Sequence, residues 1–160
     1  DGHYAVDLAM ILGQYGSLPD QFTTKQDVEI KAENSFGENL ILVGGPLTNT
    51  VTAEINNYLP VRFESERFPY RKIISDKTGE KYQEENAGII AKIKNPENKD
   101  KSILVVAGVR FSGTKASVIA LTRFSEELLE NYSGEDSWAR VVLGKDMDGD
   151  GKVDSVEFLE

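Results

Sequence analysis

Apolar residues fall into short runs along this chain, and two of those runs share one layout. In the first, Asn39-Leu40-Ile41-Leu42-Val43 stops at Gly44-Gly45-Pro46. The spacing that follows, Val51, Ile55 and Tyr58, predicts an amphipathic helix with Pro46 in its first turn, where a missing N–H costs nothing. In the second, Ser102-Ile103-Leu104-Val105-Val106-Ala107 stops at Gly108. A helix capped by Ser112 or Thr114 then runs to about Tyr132, with Val118, Leu121, Phe124, Leu128 and Leu129 at spacings of three and four. Continuous apolar strands followed by glycine and a helix indicate parallel strands buried on both faces.

Around these units the pattern is weaker. Tyr4 to Gln14 reads as a first helix, ended by Tyr15-Gly16. Val61-Arg62-Phe63, Arg71-Lys72-Ile73-Ile74 and Gly88-Ile89-Ile90-Ala91-Lys92-Ile93 read as strands of an antiparallel middle, joined by turns such as Lys77-Thr78-Gly79. Asn95-Pro96-Glu97-Asn98-Lys99 reads as a loop, and Trp138-Ala139-Arg140-Val141-Val142-Leu143, rich in β-branched residues, as a late strand. The fold class is therefore α/β: a mixed sheet with a parallel core from the two strand-glycine-helix units, antiparallel middle strands and helices on the faces. No linker divides the chain, so residues 1–160 read as a single domain. The opening Asp1-Gly2-His3 lacks a methionine, which suggests a fragment of a longer protein.

Charge changes the picture at one end. Residues 1–124 carry 16 acidic and 15 basic side chains, whereas residues 125–160 carry 11 acidic and 3 basic. That distribution suits a cation and repels nucleic acid, whose binding relies on Lys and Arg at phosphates. The acidic segment is also ordered. Asp146-Met147-Asp148-Gly149-Asp150-Gly151-Lys152-Val153-Asp154-Ser155-Val156-Glu157 matches the twelve-position calcium loop of the EF-hand type. Asp146, Asp148 and Asp150 occupy positions 1, 3 and 5, and Gly151 the sharp turn at position 6. Lys152 at position 7 offers its backbone carbonyl, Asp154 at position 9 binds directly or through water, and Glu157 at position 12 can supply two oxygens. The competing reading is an acidic turn that binds nothing. A sensor needs a helix on each side of the loop, but here a strand enters and only three residues follow Glu157. The expectation is a structural Ca²⁺ that clasps the C-terminus.

Catalytic chemistry finds little support. There are no cysteines and one histidine, His3, which excludes disulfides, thiol nucleophiles and multi-histidine metal sites. Ser112 and Thr114 lack a base near in sequence. Among 27 acidic residues no carboxylate pair is singled out. Gly108 and Gly113 stand at P-loop spacing, but Gly113-Thr114-Lys115 reverses the Lys-Ser/Thr order that points a lysine at phosphates. Gly44-Gly45-Pro46 lacks the dinucleotide pattern, so close strand–helix packing is the plainer role for both turns. Tyr132 and Trp138 read as packing residues near the calcium loop. No stretch is long and apolar enough to span a bilayer.

Asn39-Leu40-Ile41-Leu42-Val43-Gly44-Gly45-Pro46 with Asn49, and Ile103-Leu104-Val105-Val106-Ala107-Gly108 followed by Gly113-Thr114-Lys115-Ala116, resemble the C-terminal domain of archaeal surface-layer-like proteins. The second motif is also similar to some bacterial cell-wall-binding repeats. The surface-layer resemblance implies a non-catalytic structural or interaction domain of the cell envelope, at the extracellular surface, assembling with copies of itself or other envelope proteins and often dependent on calcium. The Asn131-Tyr132-Ser133 sequon suits an external protein. This chain departs from that pattern in having one domain and no membrane anchor. The alternative is a cytoplasmic small-molecule- or anion-binding regulatory module, using the cleft near Gly44, Gly45, Gly108 and Arg110 at the ends of the two parallel strands.

Overall fold

Side chains alternate across a strand, so a continuous apolar run needs cover on both faces. The computed structural model, which describes residues 2–14, 23–64, 70 and 72–160, provides it. In chain order the elements are α1 (Gly2–Leu12), α2 (Asp27–Ala32), β1 (Leu40–Val43), α3 (Thr50–Ile55), a 3₁₀ turn (Asn56–Tyr58), β2 (Val61–Phe63), β3 (Ile73–Ser75) and β4 (Lys81–Tyr82). They continue with β5 (Ala87–Lys94), β6 (Ser102–Gly108), α4 (Phe111–Arg123), α5 (Ser125–Leu128), β7 (Trp138–Lys145) and β8 (Ser155–Phe158).

Five strands form one sheet in the order β1-β6-β5-β7-β8, and β2-β3-β4 form a second. β1 runs parallel to β6, with Leu40 opposite Ile103 and Val43 opposite Val106. The remaining pairs are antiparallel. The mixed sheet with a parallel pair from the two strand-glycine-helix units is thus the observed architecture. Parallel pairing stops at that pair, because β5 and β7 enter the sheet by antiparallel contacts.

Three layers result. On one face Ile89, Ala91, Ile93, Ile103 and Val105 pack with Val51 and Ile55 of α3 and with Val61, Phe63 and Ile73 of the small sheet. On the other, Ile90 and Val142 meet Ala116, Ile119 and Ala120 of α4, while Val106 and Val118 meet Tyr4 and Leu8 of α1. At the turn before β2, the Asn56 side chain donates to the Phe63 carbonyl and accepts from the Phe63 amide, both at 2.8 Å. That pairing satisfies backbone groups in a buried place.

Several expected boundaries move. The helix after β1 starts at Thr50, not near Pro46. Asn49 is its N-cap and accepts from Val51 and Thr52, while Thr48 and Asn49 amides turn back onto the Gly45 carbonyl. Tyr58 falls in the 3₁₀ turn and is exposed rather than on an apolar face. The helix after β6 is capped by neither Ser112 nor Thr114, since Arg110 is the N-cap residue. That helix ends at Arg123, because Phe124 leaves the helical region at φ −123° and ψ 33°. Only the short α5 follows, and it turns Leu128 into the core and leaves Leu129 exposed. Tyr15, Gly16 and Arg71, included in the sequence expectations, lie outside the described residues.

Candidate functional site

The acidic loop connects β7 to β8, two antiparallel strands whose last pair before it is Lys145 with Ser155. A hairpin, not a helix pair, therefore carries the calcium-type sequence. Gly149 and Gly151 take φ of 79° and 83°, which lets the chain reverse where a side chain would be strained. The reversal aims backbone amides at the first aspartate. Asp146 accepts from Gly149 at 2.7 Å, Gly151 at 2.8 Å and Asp150 at 3.2 Å. Asp154 accepts from the Met147 amide at 3.1 Å. These contacts fold Asp146, Asp148 and Asp154 together, with one oxygen of each lying within 4.8 Å of the others.

The other side-chain ligands of the motif are turned to lysines. Asp150 pairs with Lys152 at 2.9 Å. The Lys152 hydrogen bond holds the Asp150 carboxyl below its usual range, and the same contact raises the Lys152 ammonium. Glu157, on β8, pairs with Lys145 of β7 at 2.6 Å. The structure therefore gathers three of the five carboxylates and holds Asp150 and Glu157 against local cations. The donor set is entirely hard oxygen, which fits calcium.

Val153 is a contributor that the motif reading passed over. Unlike the exposed Met147 and the half-buried Val156 of the same loop, it is buried, against Gly144 and Ala116. A Cβ at Gly144 would lie 2.8 Å from the Val153 methyls, so the loop is seated on the hairpin by that contact. Its signal in the sequence was a valine set between Lys152 and Asp154. Tyr132 and Trp138, by contrast, are not near the loop. They stack with centroids 5.2 Å apart at the opposite end of β7, where Lys92 donates to the Tyr132 hydroxyl at 2.7 Å.

A second site lies at the C-terminal ends of β1 and β6. A cleft of about 220 Å³ is lined there by residues that include Gly45, Pro46, Phe63, Arg110, Phe111 and Thr114. Gly44 is not part of it: its carbonyl accepts from the Thr52 hydroxyl and its amide donates to Val106. The P-loop-like glycines are used for packing. A Cβ on Gly108 would collide with Gly113, one on Gly113 with Ala87, and one on Gly88 with Ser117 and Gly113. Lys115 follows on the helix, away from the cleft lining. Ser112 donates to the Glu85 carbonyl at 3.0 Å and has no histidine beside it. No helix among the described residues is long and apolar enough to cross a membrane.

The chain is 31% identical over 103 residues to an uncharacterized protein of the archaeon Methanocaldococcus jannaschii. That stretch is 62% of this chain and 20% of the relative, so the chain spans about a fifth of the curated relative it matches. No solved structure matches it. The model of the S-layer like family, outer domain, matches residues 21–124, from before α2 to the end of α4. A family of that description points to a structural role in the cell envelope. With well over half its length matched, the chain belongs to the S-layer like family, outer domain.

Proposed function

We propose that this chain is a non-catalytic structural or interaction domain at the cell surface, fastened by a calcium ion in the β7–β8 loop and assembling with other copies or envelope proteins. The observation that carries the calcium reading is the convergence of Asp146, Asp148 and Asp154 inside a loop whose spacing matches the calcium motif at each constrained position. Asp146, Asp148, Asp150, Asp154, the Lys152 carbonyl and Glu157 would hold the ion. The ion would neutralise carboxylates that otherwise repel one another. Asp150 and Glu157 would exchange their lysine partners for it. A hairpin loop lacks the paired helices that a sensor opens, so the role is a fastening one.

Thermal melts in calcium and in chelator test the reading. A ligand held only by the folded state adds about 2.7 kcal/mol at a hundred times Kd. For a protein of this size that is a rise of roughly 5–10 °C in Tm. Asp148→Asn should remove most of the rise. Superimposable curves in calcium and chelator would leave the loop as an acidic turn.

A further inference from the structure

We propose that the cleft at the C-terminal ends of β1 and β6 binds a small carboxylate bearing a compact apolar group. Topology creates the opening. β1 and β6 are adjacent and parallel, but α3 leaves β1 toward the face of the small sheet while α4 leaves β6 toward the opposite face. Adjacent strands whose connections diverge in this way leave a crevice beyond their carboxyl ends. The floor is bare backbone, since a Cβ on Gly45 would come within 2.8 Å of the Gly108 carbonyl.

Polar groups converge on that crevice from α4. Thr114 is 1% exposed and lines it, and its hydroxyl has no hydrogen-bond partner among the described residues. A hydroxyl that lines the cleft and has no protein acceptor is free to donate to a ligand oxygen. The N-cap residue, Arg110, provides no side-chain cap, so the first turn of this 13-residue helix presents its amides without a capping acceptor. The Arg110 guanidinium stands at the same rim, and its described ion-pair partner, Glu85, is 3.8 Å away and largely exposed.

The walls decide the class of ligand. Pro46, Phe63 and Phe111 surround the polar end, and Phe111 is 71% exposed, a large ring at the mouth. One guanidinium, offset by Glu85, with one hydroxyl and a helix end matches a single negative charge better than a dianionic phosphate. The volume limits the apolar part to about the size of one ring. The cleft shares no residue with the acidic loop, so this proposal stands apart from the calcium reading.

Amide NMR of the 160-residue chain, titrated with sodium benzoate and separately with inorganic phosphate, tests it. Benzoate should give saturable shifts at Gly45 and at Phe111 to Thr114. Arg110→Ala should weaken binding about tenfold, as loss of a charge-assisted contact does, with the rest of the spectrum unchanged. Thr114→Val should weaken it less, and Arg110→Lys should keep part of it. If Thr114→Val disturbs the fold, the two Arg110 variants decide. Shifts that do not saturate, that saturate elsewhere, or that survive Arg110→Ala would overturn the proposal. Phosphate binding as tightly as benzoate would overturn the carboxylate assignment.

Discussion

Gly113→Ala separates two meanings of the same glycine. In an exposed helix the change would stabilise by about 1 kcal/mol, because alanine loses less backbone freedom. Here the new methyl would run into the carbonyl of Ala87 and lie 3.0 Å from the Gly108 Cα. Both obstacles are backbone, and the Ala87 carbonyl already accepts from the Val109 amide at 3.0 Å. No rotamer relieves the clash. The start of α4 has to lift from the sheet, loosening Thr114, Ala116, Ser117 and Ala120, all of them buried. Overpacking of this kind costs about 1–3 kcal/mol, and the backbone contact places it at the upper end. After the helix-propensity gain, the net loss is about 2 kcal/mol, or roughly 4–8 °C in Tm. Urea unfolding followed by circular dichroism measures it. Gly45→Ala, meeting backbone at 2.8 Å, should lose less. A Gly113→Ala protein as stable as the parent would show that α4 is not held at this closeness, and the packing account of the glycines would fail.

Two further outcomes follow from the ion pairs and from Tyr82. Lys145→Met removes the cation that holds Glu157, and an exposed pair of this kind is worth about 0–1 kcal/mol. Calcium affinity by titration calorimetry should therefore tighten by up to about fivefold; affinity that fails to tighten would mean that Lys145 does not compete with the ion for Glu157. Tyr82 donates to Glu160 at 3.2 Å, and burial, then the Glu160 charge, pushes its phenol up to about 12. An unfolded tyrosine ionises near ~10. The folded state favours the neutral phenol, so this contribution is complete below about pH 10 and is lost as the pH rises toward about 12. The displacement from ~10 to about 12 sets a ceiling of about 3 kcal/mol, which solvent screening lowers. Tyr82→Phe should flatten that alkaline decline; an unchanged slope between these pH values would remove Tyr82 from the account.

What the sequence reveals here is whatever depends on local pattern. Ile103 to Ala107 reads as a doubly buried strand because every position is apolar, and both faces are in fact covered, whereas Ile89 to Ile93, interrupted by Lys92, reads only as a middle strand. The parallel pairing of β1 with β6 was legible from the repeated strand-glycine-helix order. α2 was not, since none of its six residues is fully buried and only Ile30 packs against the core. β4 is two residues long and shows no alternation. The break at Phe124 is a tertiary event: the apolar spacing runs on through Leu128, but the core takes Leu128 from a new direction. At the acidic loop the spacing gave the twelve positions. The lysine partners depend on register, because Lys145 meets Glu157 only once β7 and β8 pair with Leu143 opposite Glu157.

That hairpin also corrects the impression of an acidic tail attached to a neutral body. The family match ends at residue 124, before β7. Yet β7 lies inside the main sheet, pairing with β5 from Ala87–Leu143 to Lys92–Trp138. β8 then covers the edge of β7. At the far end from the loop, the Leu159 amide donates to Val141 and the Val141 amide to the Glu160 carbonyl. The Glu160 carboxylate accepts from Thr78 at 3.0 Å and from Tyr82, both beside the small sheet. The hairpin thus ties two sheets at one end and carries the loop at the other. An ion gripping Asp146 and Glu157 would close the open end of that tie. Removing calcium should then lower hydrogen-exchange protection most at Gly144 and Lys145 and along β8, with a smaller loss toward Val141. Strands β1 and β6, held by α1, α3 and α4, should keep theirs. Exchange measured with calcium and with chelator distinguishes this gradient from its alternatives. Uniform loss across both sheets would mean that the ion sets global stability without acting through the hairpin. Loss confined to residues 146–154 would mean that the loop is fastened to nothing.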